Sequence, residues 1–517
     1  MEETLDPIDN LARWAALTPD KTAVYFANGE AVTTLSFAEL EARANIYAHW
    51  LTAQGFAQED VLALLMENRL DLLAIAWGAR RAGLYYVPVN THLQSEEIAY
   101  ILNDCGARTV IATPKTTPLM PAAQDWAGQR YQLTDGAAPA PGFTAIEPLL
   151  AAVDARAPLP QRKVGRDFLY SSGTTGRPKG IKRPLTAYAD RFKDGYEAVL
   201  WREFFGFGQD TVYLTMAPLY HAAPLRSVMR NIEWGGSSII ASRFDAALAL
   251  SLIERYRATH SQWVPTMMFR MLSLPDAVRR KADVSSMKVA IHAAAPCPPD
   301  VKRRMIAWWG PVWYEYYGGS EGIGLTATRS TDWLGRPGTV GRALLGQVHI
   351  KDDQGQELPT GQQGYIWFSG TPRFVYHNAP EKTAAAYDAS GCATFGDLGH
   401  IDAEGYLYLS GRRTDLILSG GVNIYPQEIE NLLATYPGVT DVAVIGIPHP
   451  EYGQEVKAVV QLEDPAQGSS ALEHAIIEHC RVHLAHFKCP HSIDFVTELP
   501  RQENGKIYKR LLLNRYA

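Results

Sequence analysis

Hydroxyl-bearing residues and glycines stand beside cationic side chains in one short segment of the chain. Tyr170–Lys182 reads YSSGTTGRPKGIK. Glycines let backbone N–H groups close around an anion, hydroxyls add donors, and Arg177 and Lys179 add positive charge. The segment contains no G-x-x-x-x-G-K-[ST] pattern, so it is not a Walker A loop. Its composition predicts a loop that binds a triphosphate, with a flexible polar linker as the alternative.

Short motifs with further reactive side chains follow this loop. Taken singly, each has a structural explanation: a lone His is usually a packed residue, a Gly pair a tight turn, and a basic tail a solubilising segment. Their order along the chain carries more information than any one of them. They are APLYHA at Ala217–Ala222, HAAAPC at His292–Cys297, YYGGSE at Tyr316–Glu321, FGDL at Phe395–Leu398, GRRTD at Gly411–Asp415, GGVNIYP at Gly420–Pro426 and NGK at Asn504–Lys506.

This order of motifs resembles the adenylate-forming superfamily, which contains acyl-CoA synthetases, nonribosomal adenylation domains and firefly luciferase. SSGTTGRPKG at Ser171–Gly180 is similar to that family's phosphate signature nearly letter for letter, and the resemblance spans nearly the whole chain. The chain looks like the acyl-CoA ligase branch. The resemblance implies an α/β adenylate-forming fold, in which a large N-terminal domain of layered sheets and helices precedes a small mobile α+β C-terminal domain.

The resemblance also implies a nucleotide site. In the family pattern Tyr317 stacks on adenine, Ser320 bonds the α-phosphate, and small residues let the flat base approach the backbone. Asp397 and Arg412 hold the ribose, since one carboxylate accepts from two hydroxyls. The implied ATP and AMP contacts are Ser171, Ser172, Gly173, Thr174, Thr175, Gly176, Lys179, Ala294, Ala295, Tyr316, Tyr317, Gly318, Ser320, Asp397, Arg412 and Lys506.

Four of the implied residues would be catalytic. The ammonium of Lys506 would bridge the acyl carboxylate and the α-phosphate, and His221 would orient that carboxylate. Glu321 would hold Mg²⁺ together with phosphate oxygens, with Thr175 as a weaker neighbour of the metal. The implied acyl-binding residues are Tyr220, His221, His292 and Gly318, and the implied coenzyme A contacts are Gly420 and Gly421.

The implied reaction is an ATP-dependent ligation in two steps. A carboxylate attacks the α-phosphate, pyrophosphate leaves, and the thiol of coenzyme A then attacks the acyl-adenylate and releases AMP. The end of the chain eleven residues after Lys506 leads us to expect free coenzyme A as the acceptor. A carrier protein or another acceptor is the first alternative, and a nucleotide-binding protein without catalysis is the second.

The acid is expected to be medium-to-large and hydrophobic. Relatives that activate amino acids usually carry an Asp near APLYHA, where this chain has Tyr220, His221 and Ala222. Relatives specific for acetate close the acyl pocket with a Trp, and Gly318 stands at that place. A fatty acid, an aryl acid or the side chain of a polycyclic compound would all fit this pattern.

The length of the chain indicates how many domains it can form. The 517 residues exceed the roughly 250–300 at which single cores stop growing, so several domains are expected. We predict an AMP-binding and acyl-binding domain at 1–411 and a mobile domain at 412–517. The hinge would lie at 411–415, where Thr414 replaces the family's usual Asp or Lys.

Charge and cysteine content exclude some classes of protein. A net charge of -6 without a basic cluster argues against a nucleic-acid partner. Five scattered cysteines without a CxxC pair fit a reducing compartment. Neither a signal-peptide pattern nor an apolar run of ~20 residues occurs, so we expect a cytoplasmic protein without a transmembrane segment, and a homodimer stays open.

Alternating apolar patterns indicate strands and helices in turn, which favours parallel sheets covered by helices. Beyond a Pro-rich stretch at 155–162 the alternation resumes. We predict strands at Lys21–Phe26, Val61–Met66, Tyr85–Val89, Thr109–Thr113, Asp441–Ile447, Val456–Gln461 and Ser492–Val496, and helices near Phe37–Leu51, Leu70–Gly83, Ser95–Asn103 and Ala471–Leu484, with Ser95 as a capping residue.

Overall fold

A computed structural model describes residues 7–171, 178–412, 415–419, 422–501 and 506–516. The chain divides into two compact units, each made of several segments. The first unit contains Met1–Trp263, Leu274–Ala290 and Phe374–Thr383. The second unit contains Val264–Ser273, Ile291–Arg373 and Ala384–Ala517.

The strands are short through most of the chain and longest near its C-terminal end. They are β1 (Thr22–Asn28), β2 (Ala31–Ser36), β3 (Val61–Leu65), β4 (Tyr85–Pro88), β5 (Ala107–Ala112), β6 (Gln129–Gln132), β7 (Thr144–Ala145), β8 (Arg166–Asp167), β9 (Leu169–Ser171), β10 (Lys179–Ile181), β11 (Val212–Thr215), β12 (Ser237–Ala241), β13 (His260–Trp263), β14 (Val289–His292), β15 (Trp313–Gly318), β16 (Leu325–Arg329), β17 (Thr339–Leu345), β18 (Gln347–Lys351), β19 (Gly364–Ser369), β20 (Asp397–Ile401), β21 (Leu407–Arg412), β22 (Ile417–Ser419), β23 (Val422–Ile424), β24 (Val439–His449), β25 (Gly453–Leu462) and β26 (Ser492–Val496).

An N-cap side chain accepts from a backbone N–H of the first turn in four of the described helices, which begin at Asn10, Phe37, Ala246 and Ser470. At the second helix, Ser36 Oγ accepts from the Glu39 N–H and the Glu39 carboxylate accepts from the Ser36 N–H, which is a capping box. The helices are α1 (Asn10–Leu17), α2 (Phe37–Ala53), α3 (Leu70–Arg81), α4 (Ser95–Asp104), α5 (Glu147–Ala151), α6 (Ala222–Glu233), α7 (Ala246–Tyr256), α8 (Pro265–Leu272), α9 (Asp276–Lys281), α10 (Pro299–Trp309), α11 (Ser330–Gly335), α12 (Pro380–Ala385), α13 (Pro426–Leu433), α14 (Ser470–His483) and α15 (Lys509–Tyr516).

The first unit is built on parallel strands. One sheet has the order β7-β6-β5-β3-β4-β8 with parallel pairing throughout. In the other, β13, β11, β12 and β1 run parallel and β2 returns antiparallel beside β1. The strand and helix alternation read from the sequence therefore predicts this unit correctly, because parallel neighbours need a crossover between them.

Helix α3 packs against α2 at a position that requires glycine. A Cβ on Gly78 would lie 2.6 Å from Tyr47 Cβ and 3.0 Å from the carbonyl oxygen of Ala44. Any side chain there would push the two helices apart. The apolar run that the sequence shows at this helix is accordingly buried on all sides, from Leu72 to Ala79.

The second unit uses antiparallel strands instead. Its larger sheet has the order β18-β19-β20-β21-β17-β16-β15 with antiparallel pairing. Near the C-terminus, β24 and β25 form a long antiparallel pair, and β26 adds parallel to β25. Helices α13 and α14 supply apolar residues to the core beside that pair.

The predicted elements are found with ends shifted by a few residues, and two expectations are wrong. The alternation of strands and helices does not produce parallel pairing through Trp313–Arg412, where the strands pair antiparallel although α11 and α12 lie between some of them. Ser95 does not cap α4, because the helix begins at Ser95 and Gln94 occupies the N-cap. The Gln94 N–H donates to the Glu97 carboxylate at 2.9 Å. The predicted boundary between 411 and 412 stays a prediction.

Among the described residues, no helix combines the length and the apolar character that crossing a bilayer demands.

A buried arginine ties three helices of the first unit together. Arg81, at the end of α3, has a side chain only 1% exposed. It donates from Nε and Nη2 to the carboxylate of Asp9 at 2.7 and 2.9 Å, and from Nη1 to Glu41 on α2 at 3.0 Å. Asp9 also accepts from the Ala12 N–H and so caps α1. The Arg81 guanidinium lowers the pKa of Asp9, although burial acts in the opposite direction.

Replacing Arg81 with Met should destabilise the first unit by about 3–5 kcal/mol, because the buried carboxylate of Asp9 and the partly buried one of Glu41 lose their partner. Arg156→Met is the matched control, since the Arg156–Asp154 pair is exposed and should contribute about 0–1 kcal/mol. Urea unfolding followed by tryptophan fluorescence measures both. Equal losses in the two variants would contradict the role of Arg81.

Candidate active site

The ends of the predicted phosphate loop are held side by side in the first unit. Strands β9 and β10 pair antiparallel, with Ser171 opposite Lys179. Lys179 is partly buried, and its Nζ lies 4.8 Å from the centre of the Tyr376 ring, a cation–π contact. The predicted contacts Ser172, Gly173, Thr174, Thr175 and Gly176 lie outside the described residues.

The APLYHA motif leads into helix α6 in the same unit. His221 occupies the N-cap position and is partly buried. Tyr220 is buried, with its ring centre 4.6 Å from that of His221 and 6.4 Å from that of His92. Aromatic packing fixes the direction of both side chains. Their acyl-binding role stays a prediction.

Strand β15 of the second unit carries several of the predicted nucleotide contacts. Tyr316 and Tyr317 are partly buried, whereas Gly318 at the end of the strand is exposed. The loop after β14 holds Ala294, which is exposed and has a φ of 75°. A non-glycine residue in this left-handed region is strained, and such strain concentrates at functional sites. Ala295 follows it and is partly buried.

The carboxylate of Asp397 joins two of these residues. Tyr317 Oη donates to Oδ2 at 2.6 Å, and Arg412 Nε donates to Oδ1 at 3.1 Å. Asp397 and Arg412 face each other across the antiparallel pair β20–β21. Burial, followed by the Asp397 charge, raises the pKa of Tyr317 well above its usual value. Each carboxylate oxygen keeps a further lone pair for a ligand hydroxyl.

Glu321 follows β15, and its side chain lies against Gly319, which has no side chain of its own. A Cβ on Gly319 would lie 2.6 Å from Glu321 Oε2 and 2.5 Å from Phe395 Cε1, so only glycine fits there. Mg²⁺ is commonly held by one or two carboxylates together with phosphate oxygens. One partly buried carboxylate therefore fits a metal that arrives with a nucleotide. Ser320, the predicted α-phosphate contact, precedes it and is partly buried.

Lys506 lies within electrostatic reach of three of these groups. Its pKa is lowered, first by burial and then by the positive charge of Arg412, while Glu321 and Asp397 act in the opposite direction. The second unit thus brings together four residues that are separated by up to 185 positions in sequence, from Glu321 to Lys506. Two cations and two carboxylates share this region.

Residues before and after Lys506 make ion pairs, to strand β24 on one side and to helix α13 on the other. Arg501 forms a two-pronged ion pair with Asp441, including Nη2 to Oδ1 at 2.6 Å. Arg501 and Ile507 face each other in an antiparallel bridge. Beyond the lysine, Lys509 Nζ pairs with Glu430 Oε1 at 2.7 Å, and Leu512 of α15 enters an apolar cluster with Ala443. These contacts hold the described chain at Arg501 and from Ile507 onward.

The sequence did not predict the buried position of His292. Its side chain is fully buried, and its Nε2 lies 3.4 Å from Glu315 Oε2. Its acyl-binding role stays a prediction. The predicted coenzyme A contacts Gly420 and Gly421, and the hinge residue Thr414, lie outside the described residues.

Sequence reasoning missed the members of two ion pairs near the predicted site residues. These are Glu315, Lys302, Asp441 and Arg501. One signal was available: Glu315 is a lone carboxylate inside an aromatic strand, WYEYYG, where an unpaired charge would be costly to bury. Nothing in the sequence marks Asp441 as the partner of a residue 60 positions away.

Comparison with known proteins gives the family. Residues 11–374 match the AMP-binding enzyme family, and residues 428–506 match the AMP-binding enzyme C-terminal domain. The long-chain-fatty-acid–CoA ligase FadD13 of Mycobacterium tuberculosis is 32% identical over 488 residues, 93% of each chain. Feruloyl-CoA synthase of an Amycolatopsis species is 32% identical over 516 residues, 98% of each chain.

A solved structure agrees with these relatives. The crystal structure of ATP-bound MatB from Rhodopseudomonas palustris superposes with a TM-score of 0.83 at 31% identity, covering 99% of each chain. The adenylate-forming fold expected from the motifs is therefore confirmed. The chain belongs to the AMP-binding enzyme family, in the acyl-CoA ligase branch of the adenylate-forming enzymes.

Proposed function

We propose that this protein activates a medium-to-large hydrophobic carboxylic acid with ATP and transfers the acyl group to coenzyme A. The observation that carries the proposal is the grouping of Lys506 with Arg412, Glu321 and Asp397 in the second unit. Each of these residues stands in a motif whose family role concerns the same nucleotide. Relatives named for a long-chain fatty acid and a feruloyl group support a CoA ligase that takes large acids.

In the first step the acid attacks the α-phosphate of ATP and pyrophosphate leaves. Two anions must meet, so the barrier falls when fixed cations and donors lie where negative charge develops. Lys506 supplies a point charge between the carboxylate and the phosphate. Asp397 orients the ribose, and Glu321 helps to hold Mg²⁺, which when bound neutralises phosphate charge.

In the second step the thiol of coenzyme A attacks the acyl carbon, and AMP is the leaving group. Lys506 has no task beside the acyl carbon at this stage. We infer that the C-terminal residues 412–517 move between the steps and that Gly420 and Gly421 then contact the pantetheine arm. Lys179 and His221 keep the roles that the family pattern assigns, on the phosphates and on the carboxylate.

The proposed size of the acid rests on Gly318. The residue is exposed at the end of β15, and a Cβ there would already lie 3.3 Å from the Gly324 carbonyl oxygen. In the family pattern a Trp at this position closes the acyl pocket, so a bulky side chain here is expected to fill the space proposed for the acyl group. The absence of such a side chain leaves that space to the substrate.

Lys506→Met should slow formation of the acyl-adenylate about 100- to 1000-fold, because one positioned charge at the reacting phosphate is removed. Thioester formation from premade acyl-adenylate should stay within about twofold, since this step is not expected to use Lys506. Pyrophosphate release and AMP release measure the two steps separately. Lys488→Met, which removes the exposed pair with Glu428, is the control. Loss of both steps, or of neither, would contradict the assigned role.

Asp441→Asn should lower the rate of adenylate formation about tenfold, because weaker pinning of Arg501 lets the Lys506 segment drift from its position. The second step should be unaffected, and Asp441→Glu should restore part of the loss. The same two assays apply. A uniform fall in both steps would mean that Asp441 serves only the stability of the fold.

A panel of acids tests the substrate class. Long-chain fatty and aryl acids should release pyrophosphate faster than acetate, and Gly318→Trp should reverse this order by filling the acyl space. AMP release that is acid-dependent but indifferent to coenzyme A would indicate a different acceptor. Fastest turnover of acetate by the unaltered enzyme would refute the substrate proposal.

A further inference from the structure

A buried ion pair lies behind the residues assigned to adenine. Lys302 Nζ donates to Glu315 Oε2 at 2.5 Å, and His292 Nε2 lies 3.4 Å from the same oxygen. The side chains of Lys302, Glu315 and His292 are 1%, 9% and 0% exposed. No step of the proposed reaction uses Lys302 or Glu315.

These residues come from three different elements. His292 ends β14, Lys302 lies in the first turns of α10, and Glu315 is in β15 directly before Tyr316. The loop at 293–298 runs between the first two elements and contains the predicted contacts Ala294 and Ala295. The Lys302–Glu315 ion pair therefore ties the helix that follows this loop to the strand that carries the predicted tyrosine contacts. At the other end of the loop, the neutral His292 packs beside the same carboxylate without a hydrogen bond to it.

The loop needs such a restraint. Ala294 holds a φ of 75°, which a residue with a Cβ adopts only when its surroundings impose it. The residue is also exposed, so few packing contacts restrain it directly. The nearest fixed points in the chain are His292 on one side and α10 on the other, and both meet Glu315.

The charges argue against a purely stabilising role. Taking an ammonium and a carboxylate out of water costs free energy that their attraction often does not recover, and apolar pairs of similar size can be as stable. Burial raises the pKa of Glu315, with Lys302 opposing this shift, and burial together with Lys302 holds His292 neutral by lowering its pKa. What the pair adds over an apolar contact is a defined geometry.

We propose that Glu315 and Lys302 are positioning residues, which set the spacing between the 293–298 loop and Tyr316–Gly318 that the nucleotide base requires. This inference rests on the proposed function for the identity of the ligand. It adds residues that touch no substrate but determine how tightly ATP is bound.

The test replaces the pair with apolar residues of similar size. Lys302→Met/Glu315→Leu should keep the thermal midpoint, since the buried charges leave together, while the Kd for ATP rises about tenfold through misplacement of the loop. The single variant Glu315→Gln should raise the Kd in the same direction. In turnover, KM for ATP should rise while KM for the acid and for coenzyme A stays unchanged.

A second buried pair of the same unit gives a matched control. Lys351 Nζ lies 2.6 Å from Asp388 Oδ2, with side chains 7% and 17% exposed. Lys351→Met/Asp388→Leu should leave the Kd for ATP unchanged. Calorimetric titration with ATP alone needs neither acid nor turnover, so it remains decisive even if the proposed ligase reaction fails.

An unchanged Kd for ATP in folded variants of Glu315 and Lys302 would overturn the proposal. A rise of the same size in the Kd for ATP of Lys351→Met/Asp388→Leu would also overturn it, because the loss of any buried ion pair would then weaken ATP binding. If Glu315→Gln does not fold, the double variant decides the question alone. Failure of Lys506→Met to slow adenylate formation would count against the proposed function and leave the positioning role standing.

Discussion

Two cations share a partly buried region of the second unit with two carboxylates, and the proposed chemistry depends on how their charges balance. Arg412 is held by Asp397, whereas Lys506 is affected by Arg412, Glu321 and Asp397 together. Burial and the neighbouring Arg412 disfavour the charged lysine, and an anion would favour it. The negative charge of a bound polyphosphate should therefore favour the charged form of Lys506, which burial and Arg412 disfavour in the free protein.

Most of the surrounding structure serves to keep these charges in place. The antiparallel pair β20–β21 places Asp397 opposite Arg412. The absence of a side chain at Gly319 leaves room for the carboxylate of Glu321. Ion pairs hold the chain before Lys506 to strand β24 and the chain after it to helix α13. Rigid supports of this kind let a long, flexible side chain act with the precision that phosphoryl chemistry needs.

The sequence predicted the parts of the molecule that depend on local pattern. Period-2 and period-3.6 spacing located α2, α3 and the parallel strands, and the motif residues Glu321, Asp397, Arg412 and Lys506 are close together in the structure. The antiparallel pairing between Trp313 and Arg412 was missed because an apolar pattern can mark a strand but does not identify its partner or the direction of that partner. Glu315 with Lys302, and Asp441 with Arg501, were missed for the same reason: a buried charge is visible in a sequence, but its partner is not.

Direct titration of Lys506 tests the central claim, which is that the charged form of this lysine is disfavoured until a phosphate binds beside it. Reductive ¹³C-methylation with NMR detection, assigned by comparison with Lys506→Arg, gives its pKa in the free enzyme and with a non-reactive acyl-adenylate analogue. We predict a pKa below the usual lysine value in the free enzyme, because burial and Arg412 disfavour the charged form, and a rise when the phosphate binds. An ordinary pKa that does not respond to the analogue would contradict the account.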